Sequence, residues 1–235
     1  MTPPRILGVL ISGSGSNLQA ILDRVADGGL PCAIGVVISN DAQAKGLARA
    51  AAAGVPTVVV EHRGFASRED FERALTAELE RAGVELVVLA GFMRVLSPFF
   101  VRRWAGRLVN IHPALLPSFP GIHAQRQAFQ YGVRFTGCTV HFVDEGTDTG
   151  PIIVQAVVPV LPDDDEESLA ARILAEEHRI YPQAIRWIAE GRVRIVGRAV
   201  QVDGAALAQA RASHNPPLEP GLAAGARGAL LEESP

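Results

Sequence analysis

The stretch Leu108-Val-Asn-Ile-His112-Pro-Ala-Leu-Leu-Pro117-Ser-Phe-Pro120-Gly-Ile-His123 decides how the chain divides. Leu108–Ile111 has the apolar character of a buried strand, and Asn110 and His112, two positions apart, project from one face of it. Pro113 has no backbone N–H and restricts His112 to extended geometry, while Pro117, Pro120 and Gly121 disfavour further pairing. The strand therefore ends with an amide and an imidazole side by side at its rim. Ligands of parallel α/β sheets bind at the carboxyl ends of the strands, so this pair is a candidate for chemistry on a carbonyl group. The competing reading is a capped strand end with a solvated histidine.

Upstream, strands and helices alternate. Ile6–Ile11 is a continuous apolar run, Ser12-Gly-Ser-Gly-Ser-Asn17 a glycine loop, and Leu18, Ile21, Leu22 and Val25 recur at helical spacing. Ala33–Ser39, Thr57–Val60 and Leu86–Ala90 read as further buried strands. Between them lie an alanine-rich helix over Ala44–Ala53 and a helix capped at Ser67 that buries Phe71, Leu75, Leu79 and Ala82. Ser97-Pro98 reads as the cap and first turn of a short helix to about Trp104. Beyond a helix at Ala124–Tyr131 the pattern changes: Phe135–Val143 and Pro151–Val160 are long β-type segments joined by an acidic, glycine-containing turn, Asp144–Gly150. Ser168–Ala189 reads as a long helix that Pro182 should kink or break, and Arg194–Val196 with Ala199–Val202 as a small hairpin. The expected fold is α/β, a doubly wound, mostly parallel sheet with an antiparallel extension in the C-terminal half. Residues 1–205 are expected to form one domain, with 206–235, rich in Ala, Pro, Gly and Glu, as a flexible tail.

Composition narrows the functional classes. The 235 residues are 48% hydrophobic and 20% charged, and the net charge of -3 supplies no general field for nucleic acid or an anionic membrane. Any anion must be held locally. Cys32 and Cys138 stand far apart without metal-ligand spacing and read as buried free thiols. His62, His178 and His214 likewise lack paired ligand spacing, so no metal is implied. No signal peptide or apolar membrane span is evident, and the expected location is the cytoplasm.

The Ser12–Asn17 loop has glycines that let backbone N–H groups approach an anion at the start of a helix. It departs from the dinucleotide fingerprint, because Leu18 stands where a third glycine is expected. The second strand ends Ser39-Asn40-Asp41, a poor match to a ribose-binding acid, and the loop has no Walker lysine. A ligand with one phosphate is favoured over NAD or ATP, in balance with a purely structural strand-to-helix turn. Asp148 lies where folding can return a carboxylate to His112, or where it simply shapes an Asp-rich turn. His141 opposes the facing of Val140 and Phe142 and reads as a structural or supporting histidine rather than a catalytic one. Arg68 and Arg94 are candidates for a carboxylate tail or ordinary surface residues.

Four separated blocks then carry a resemblance: Ile11-Ser-Gly-Ser-Gly-Ser-Asn-Leu-Gln-Ala20, Leu89-Ala-Gly-Phe-Met-Arg-Val-Leu-Ser-Pro98, Asn110–Gly121, and Val140-His-Phe-Val143 with Gly150-Pro-Ile-Ile. In this order they resemble the folate-dependent glycinamide ribonucleotide transformylase (phosphoribosylglycinamide formyltransferase) family, from Ile6 to about Val202. The resemblance implies Asn110, His112 and Asp148 as the catalytic residues, Gly15, Ser16 and Asn17 as the phosphate loop, and Glu177 as a contact to the glycinamide substrate. It further implies Met93, Arg94, Val95 and Leu96 as the wall receiving the folate pterin, and Arg68 near the folate tail. The implied reaction passes formyl from 10-formyltetrahydrofolate, the cosubstrate, to the amine of glycinamide ribonucleotide in purine synthesis, by direct attack in a ternary complex. The implied partners are these two small molecules, without nucleic acid, membrane or metal, in a monomer or homodimer. Formyltetrahydrofolate deformylase, which carries an amino-terminal regulatory domain, is the nearest alternative. Methionyl-tRNA formyltransferase adds an RNA-binding domain for which the thirty or so residues of the tail are too few. From another class, a non-catalytic phosphate-ligand-binding protein would use the glycine loop alone.

Overall fold

The apolar runs upstream of Asn110 become strands of one sheet: β1 (Arg5–Ile11), β2 (Cys32–Ser39), β3 (Thr57–Val59), β4 (Leu86–Leu89) and β5 (Leu108–His112). The computed structural model describes residues 4–204, and the tail expected over 206–235 lies outside the described residues. Helices α1 (Ser16–Ala26), α2 (Lys45–Ala52), α3 (Arg68–Arg81) and α4 (Pro98–Arg103) connect these strands. Next come α5 (Ala124–Tyr131), β6 (Phe135–Phe142), β7 (Ile152–Pro159), α6 (Glu166–Ala189) and the hairpin β8 (Val193–Val196) with β9 (Ala199–Val202).

The sheet has seven strands in the order β3-β2-β1-β4-β5-β6-β7. Pairing is parallel from β3 through β5 and antiparallel from β5 to β6 and from β6 to β7. The chain winds outward from β1 to β3, then returns to lay β4 against the other edge of β1. This reversal opens a crevice between the carboxyl ends of β1 and β4, where open α/β sheets take ligands. Both faces are covered. Leu18, Ile21 and Leu22 of α1 and Leu169, Ile173 and Ile185 of α6 pack on one side, and Phe71, Leu75 and Leu79 of α3 with Phe100 and Val101 of α4 on the other. Among the described residues no helix is long and apolar enough to cross a membrane.

Two local expectations need qualification. Of the two outcomes expected at Pro182, a kink or a break, the break does not occur: α6 runs 24 residues through it. A proline inside a helix forfeits one backbone hydrogen bond and costs about 3 kcal/mol or more, yet Pro182 is buried beside Tyr181, whose hydroxyl donates to the carbonyls of Leu89 (2.8 Å) and Val109 (3.1 Å). That anchor joins the helix to β4 and β5 and holds it against the sheet on either side of the proline. Ser97 stands at the N-cap of α4 with Pro98 opening the helix, as expected, but its side chain makes no capping bond: the hydroxyl donates instead to Glu72 on α3. Replacing Tyr181 with Phe should remove about 1–3 kcal/mol of stability, read as a lower urea midpoint at unchanged slope.

Candidate active site

The carboxyl end of β1 is tied to its neighbours by one side chain. Ser12 donates its N–H to the Gly91 carbonyl (3.1 Å), its hydroxyl donates to Asn40 Oδ1 (2.6 Å), and the same oxygen accepts from the Met93 N–H (2.8 Å). The glycine loop, the end of β2 and the segment after β4 thus form one rim. Gly15 precedes α1 at φ 69°, and a Cβ there would stand 2.6 Å from the Gly46 Cα, so both conformation and space require glycine. From behind, Gly46 N–H donates to Gly13 O (3.1 Å) and Arg49 Nε to Ser14 O (2.9 Å), bracing the loop on α2. The first turn of α1 leaves N–H groups without partners inside the helix, an arrangement suited to an anion.

At the end of β5 the expected trio converges. His112 is buried, its Nδ1 3.3 Å from Asp148 Oδ2 and its Nε2 2.8 Å from the Phe119 carbonyl. Both ring nitrogens therefore face oxygens able to accept a hydrogen bond. Asp148 reaches this position from the turn between β6 and β7 with its backbone at φ 54°, and Oδ2 also accepts the Gly121 N–H (2.7 Å). Asn110, half-buried, lies opposite His141 across the antiparallel β5–β6 ladder, and its Nδ2 stands 3.3 Å from His141 Nε2.

The sequence pattern of the formyl transferase family matches residues 5–185. The phosphoribosylglycinamide formyltransferase of Escherichia coli (strain K12) is 48% identical over 196 residues, covering 83% of this chain and 92% of that protein. The chain belongs to this formyl transferase family. In Drosophila melanogaster the trifunctional purine biosynthetic protein adenosine-3 is 56% identical over 187 residues, covering 79% of this chain. The chain spans only 14% of the length of the trifunctional insect relatives it matches. The glycinamide ribonucleotide transformylase 1 structure from Symbiobacterium toebii superimposes with a TM-score of 0.84 at 53% identity, covering 86% of this chain and 95% of that one.

The remaining residues expected of a formyl transferase fall at different distances from the trio. Asn17 is buried and turned inward, its Nδ2 donating to Glu177 Oε2 at 2.7 Å, which joins the glycine loop to α6. Burial pushes the Glu177 carboxyl above its ordinary range, and the Asn17 hydrogen bond opposes this in part. Ser16 is the first residue of α1 and half-buried. Met93, Arg94 and Val95 are exposed and Leu96 half-buried on the segment that Ser12 holds. Arg68, exposed in the first turn of α3, has no hydrogen bond or ion pair among the described residues. Nor does any group of three His, Cys, Asp or Glu side chains able to hold a metal occur among them.

His141, read from the sequence as a structural or supporting histidine, stands beside Asn110. Its Nδ1–H donates to the Phe142 carbonyl (2.8 Å), so Nε2 is an acceptor that fixes the Asn110 amide, and Asp148 Oδ1 lies 3.7 Å away. Register across β5 and β6 brings it there, and register is not legible from either strand alone. Burial lowers its pKa, while the Phe142 carbonyl and Asp148 pull the other way. A depressed histidine contributes stability that is complete above the unfolded value and is lost as pH falls toward the folded one, since the unfolded chain then binds more protons. From about pH 7 to about pH 5, the urea-unfolding free energy should fall less steeply in His141→Gln than in the parent chain.

Proposed function

We propose that the chain transfers formyl from 10-formyltetrahydrofolate to the amine of glycinamide ribonucleotide, within residues 1–205 and by direct attack in a ternary complex. The observation that carries this reading is the contact of His112 on β5 with Asp148, and of Asn110 on the same strand with that carboxylate's neighbour His141; only β4 separates β5 in the sheet from β1 and its glycine loop. The amine lone pair attacks the formyl carbon and the carbonyl oxygen becomes an oxyanion. Asn110 Nδ2–H and the His112 N–H now directed at the Phe119 carbonyl are the donors for that oxygen. Asp148 orients the ring and takes the amine proton through a water. Collapse of the tetrahedral adduct breaks the bond to the folate N10, which takes back the proton that Asp148 received, returning the carboxylate to its starting state. Formylglycinamide ribonucleotide and tetrahydrofolate leave, with no acyl-enzyme.

Each remaining part has a place. Gly15, Ser16 and Asn17 take the substrate phosphate at the start of α1, and Glu177, held by Asn17, faces the glycinamide side. Met93, Arg94, Val95 and Leu96 receive the pterin, with Arg68 toward the folate tail. Holding both substrates in one cleft replaces a bimolecular encounter with a local one. A deformylase with the same trio would direct water at the same carbon, and the assay that separates the two follows folate release with and without glycinamide ribonucleotide. Release that needs the amine supports transfer, and equal release without it replaces transfer with hydrolysis. Asn110→Ala, His112→Ala and Asp148→Asn should each lower kcat by about 10² to 10³, while glycinamide ribonucleotide still binds by calorimetry.

A further inference from the structure

Glu72 is a carboxylate with no solvent exposure on α3, whose Phe71, Leu75 and Leu79 form an apolar cluster with Phe92, Phe100 and Trp104. No cation pairs with it among the described residues; its partners are the Ser97 N–H, donating to Oε1 at 2.7 Å, and the Ser97 hydroxyl, donating to Oε2. A buried charge without a counter-ion is costly, and an apolar residue of similar size in such a position is generally no less stabilising. Fold stability alone does not account for this carboxylate. What it specifies is the position of Ser97.

Ser97 ends the segment Met93–Leu96. The other end of that segment is held by Ser12, through the Met93 N–H and the Gly91 carbonyl. Between these two anchors Met93 and Val95 present side chains 72% and 69% exposed. Apolar side chains held out on a strand-end loop need fixed ends to keep a defined surface, since a loop free at one end would fold them inward. Ser12 anchors the wall to the glycine loop; Glu72 anchors it to α3.

We propose that Glu72 is a positioning residue for the folate, acting through Ser97 to fix the far end of the 93–96 wall. The inference rests on the reading of that wall as the pterin site. Its test compares Glu72→Ala, Glu72→Gln and Ser97→Ala, with kcat and both KM values measured and amide hydrogen exchange followed over residues 93–97. Glu72→Ala should raise the KM for 10-formyltetrahydrofolate about tenfold, leave kcat and the KM for glycinamide ribonucleotide within about twofold, and speed exchange at 93–97. Gln, which still accepts from the Ser97 N–H and can donate to its hydroxyl oxygen, should restore most of the folate KM. Ser97→Ala, which keeps one of the two bonds, should shift the same constant in the same direction by less, and it serves should Glu72→Ala not fold. An unchanged folate KM in Glu72→Ala, or in Ser97→Ala where only that variant folds, or an equal rise in both KM values, overturns the proposal. Met93→Glu and Val95→Glu distinguish the two levels. If they too leave folate binding unchanged, the wall reading itself fails; if they weaken it while the Glu72 and Ser97 variants do not, only the role of Glu72 fails.

Discussion

Asp148 meets His112 because a non-glycine residue is held in the left-handed backbone region, at φ 54°, at the tip of the β6–β7 connection. Such a conformation costs on the order of 1–3 kcal/mol, so the surrounding turn must determine it. Several contacts do so. Asp144 accepts from the Thr149 hydroxyl (2.6 Å) and the Gly146 N–H (3.1 Å), Arg102 of α4 grips Glu145 through two hydrogen bonds, and Arg198 from the terminal hairpin donates to the Thr149 carbonyl (2.9 Å). Gly150 closes the turn where a Cβ would stand 1.8 Å from the Phe142 carbonyl. Because β6 runs antiparallel to β5 and ends opposite Val109, the turn starts beside the amino end of β5, and Asp148 reaches back along the strand to His112.

The parts of the fold that were legible in sequence are those governed by local periodicity. Apolar runs of four to eight residues and helical stripes located the strands and most helices, because burial on both faces of a parallel sheet leaves continuous hydrophobic segments. Spacing singled out Asn110 and His112 as a pair on one face and Asp148 as a carboxylate able to return to them, and the resemblance of four separated blocks joined the three into one expected trio. What stayed hidden depends on tertiary partners. Pro182 reads locally as a helix breaker, and only the buried Tyr181 hydroxyl on two strand carbonyls shows why the helix continues. Ser97 reads locally as a cap, and nothing in its own segment announces a carboxylate 25 residues away. Glu72 is masked for the same reason, being one charged residue in a helix whose neighbours at helical spacing account for its buried stripe.

Several of the polar groups that the fold buries hold the rim of the cleft. His141 orients Asn110, Asn17 joins Glu177 to the glycine loop, and Glu72 holds Ser97. Each costs desolvation that an apolar side chain would avoid, and each makes hydrogen bonds that fix a neighbouring group in one geometry. By contrast the two cysteines are buried without a polar role: burial pushes the Cys32 thiol up to about 11 and the Cys138 thiol up to about 12, so neither is a nucleophile near neutral pH.

This distribution bears on how the cleft discriminates between an amine and water. In the proposed reaction the trio by itself would polarise a formyl group without choosing the attacking atom, since an oxyanion donor and a base serve either nucleophile. Choice must come from how the second substrate is held, and here the glycine loop is rigidly coupled to the rest of the rim. Ser12 bonds to Gly91, Asn40 and Met93, and Asn17 bonds to Glu177 on α6. A ligand whose phosphate sits at the first turn of α1 therefore has its distance to the Asn110–His112 edge set by the sheet itself, not by a mobile segment. Water has no such handle. An amine carried on a phosphate-bearing scaffold arrives with its position already determined, and the entropic cost of placing it has been met by binding at the far end.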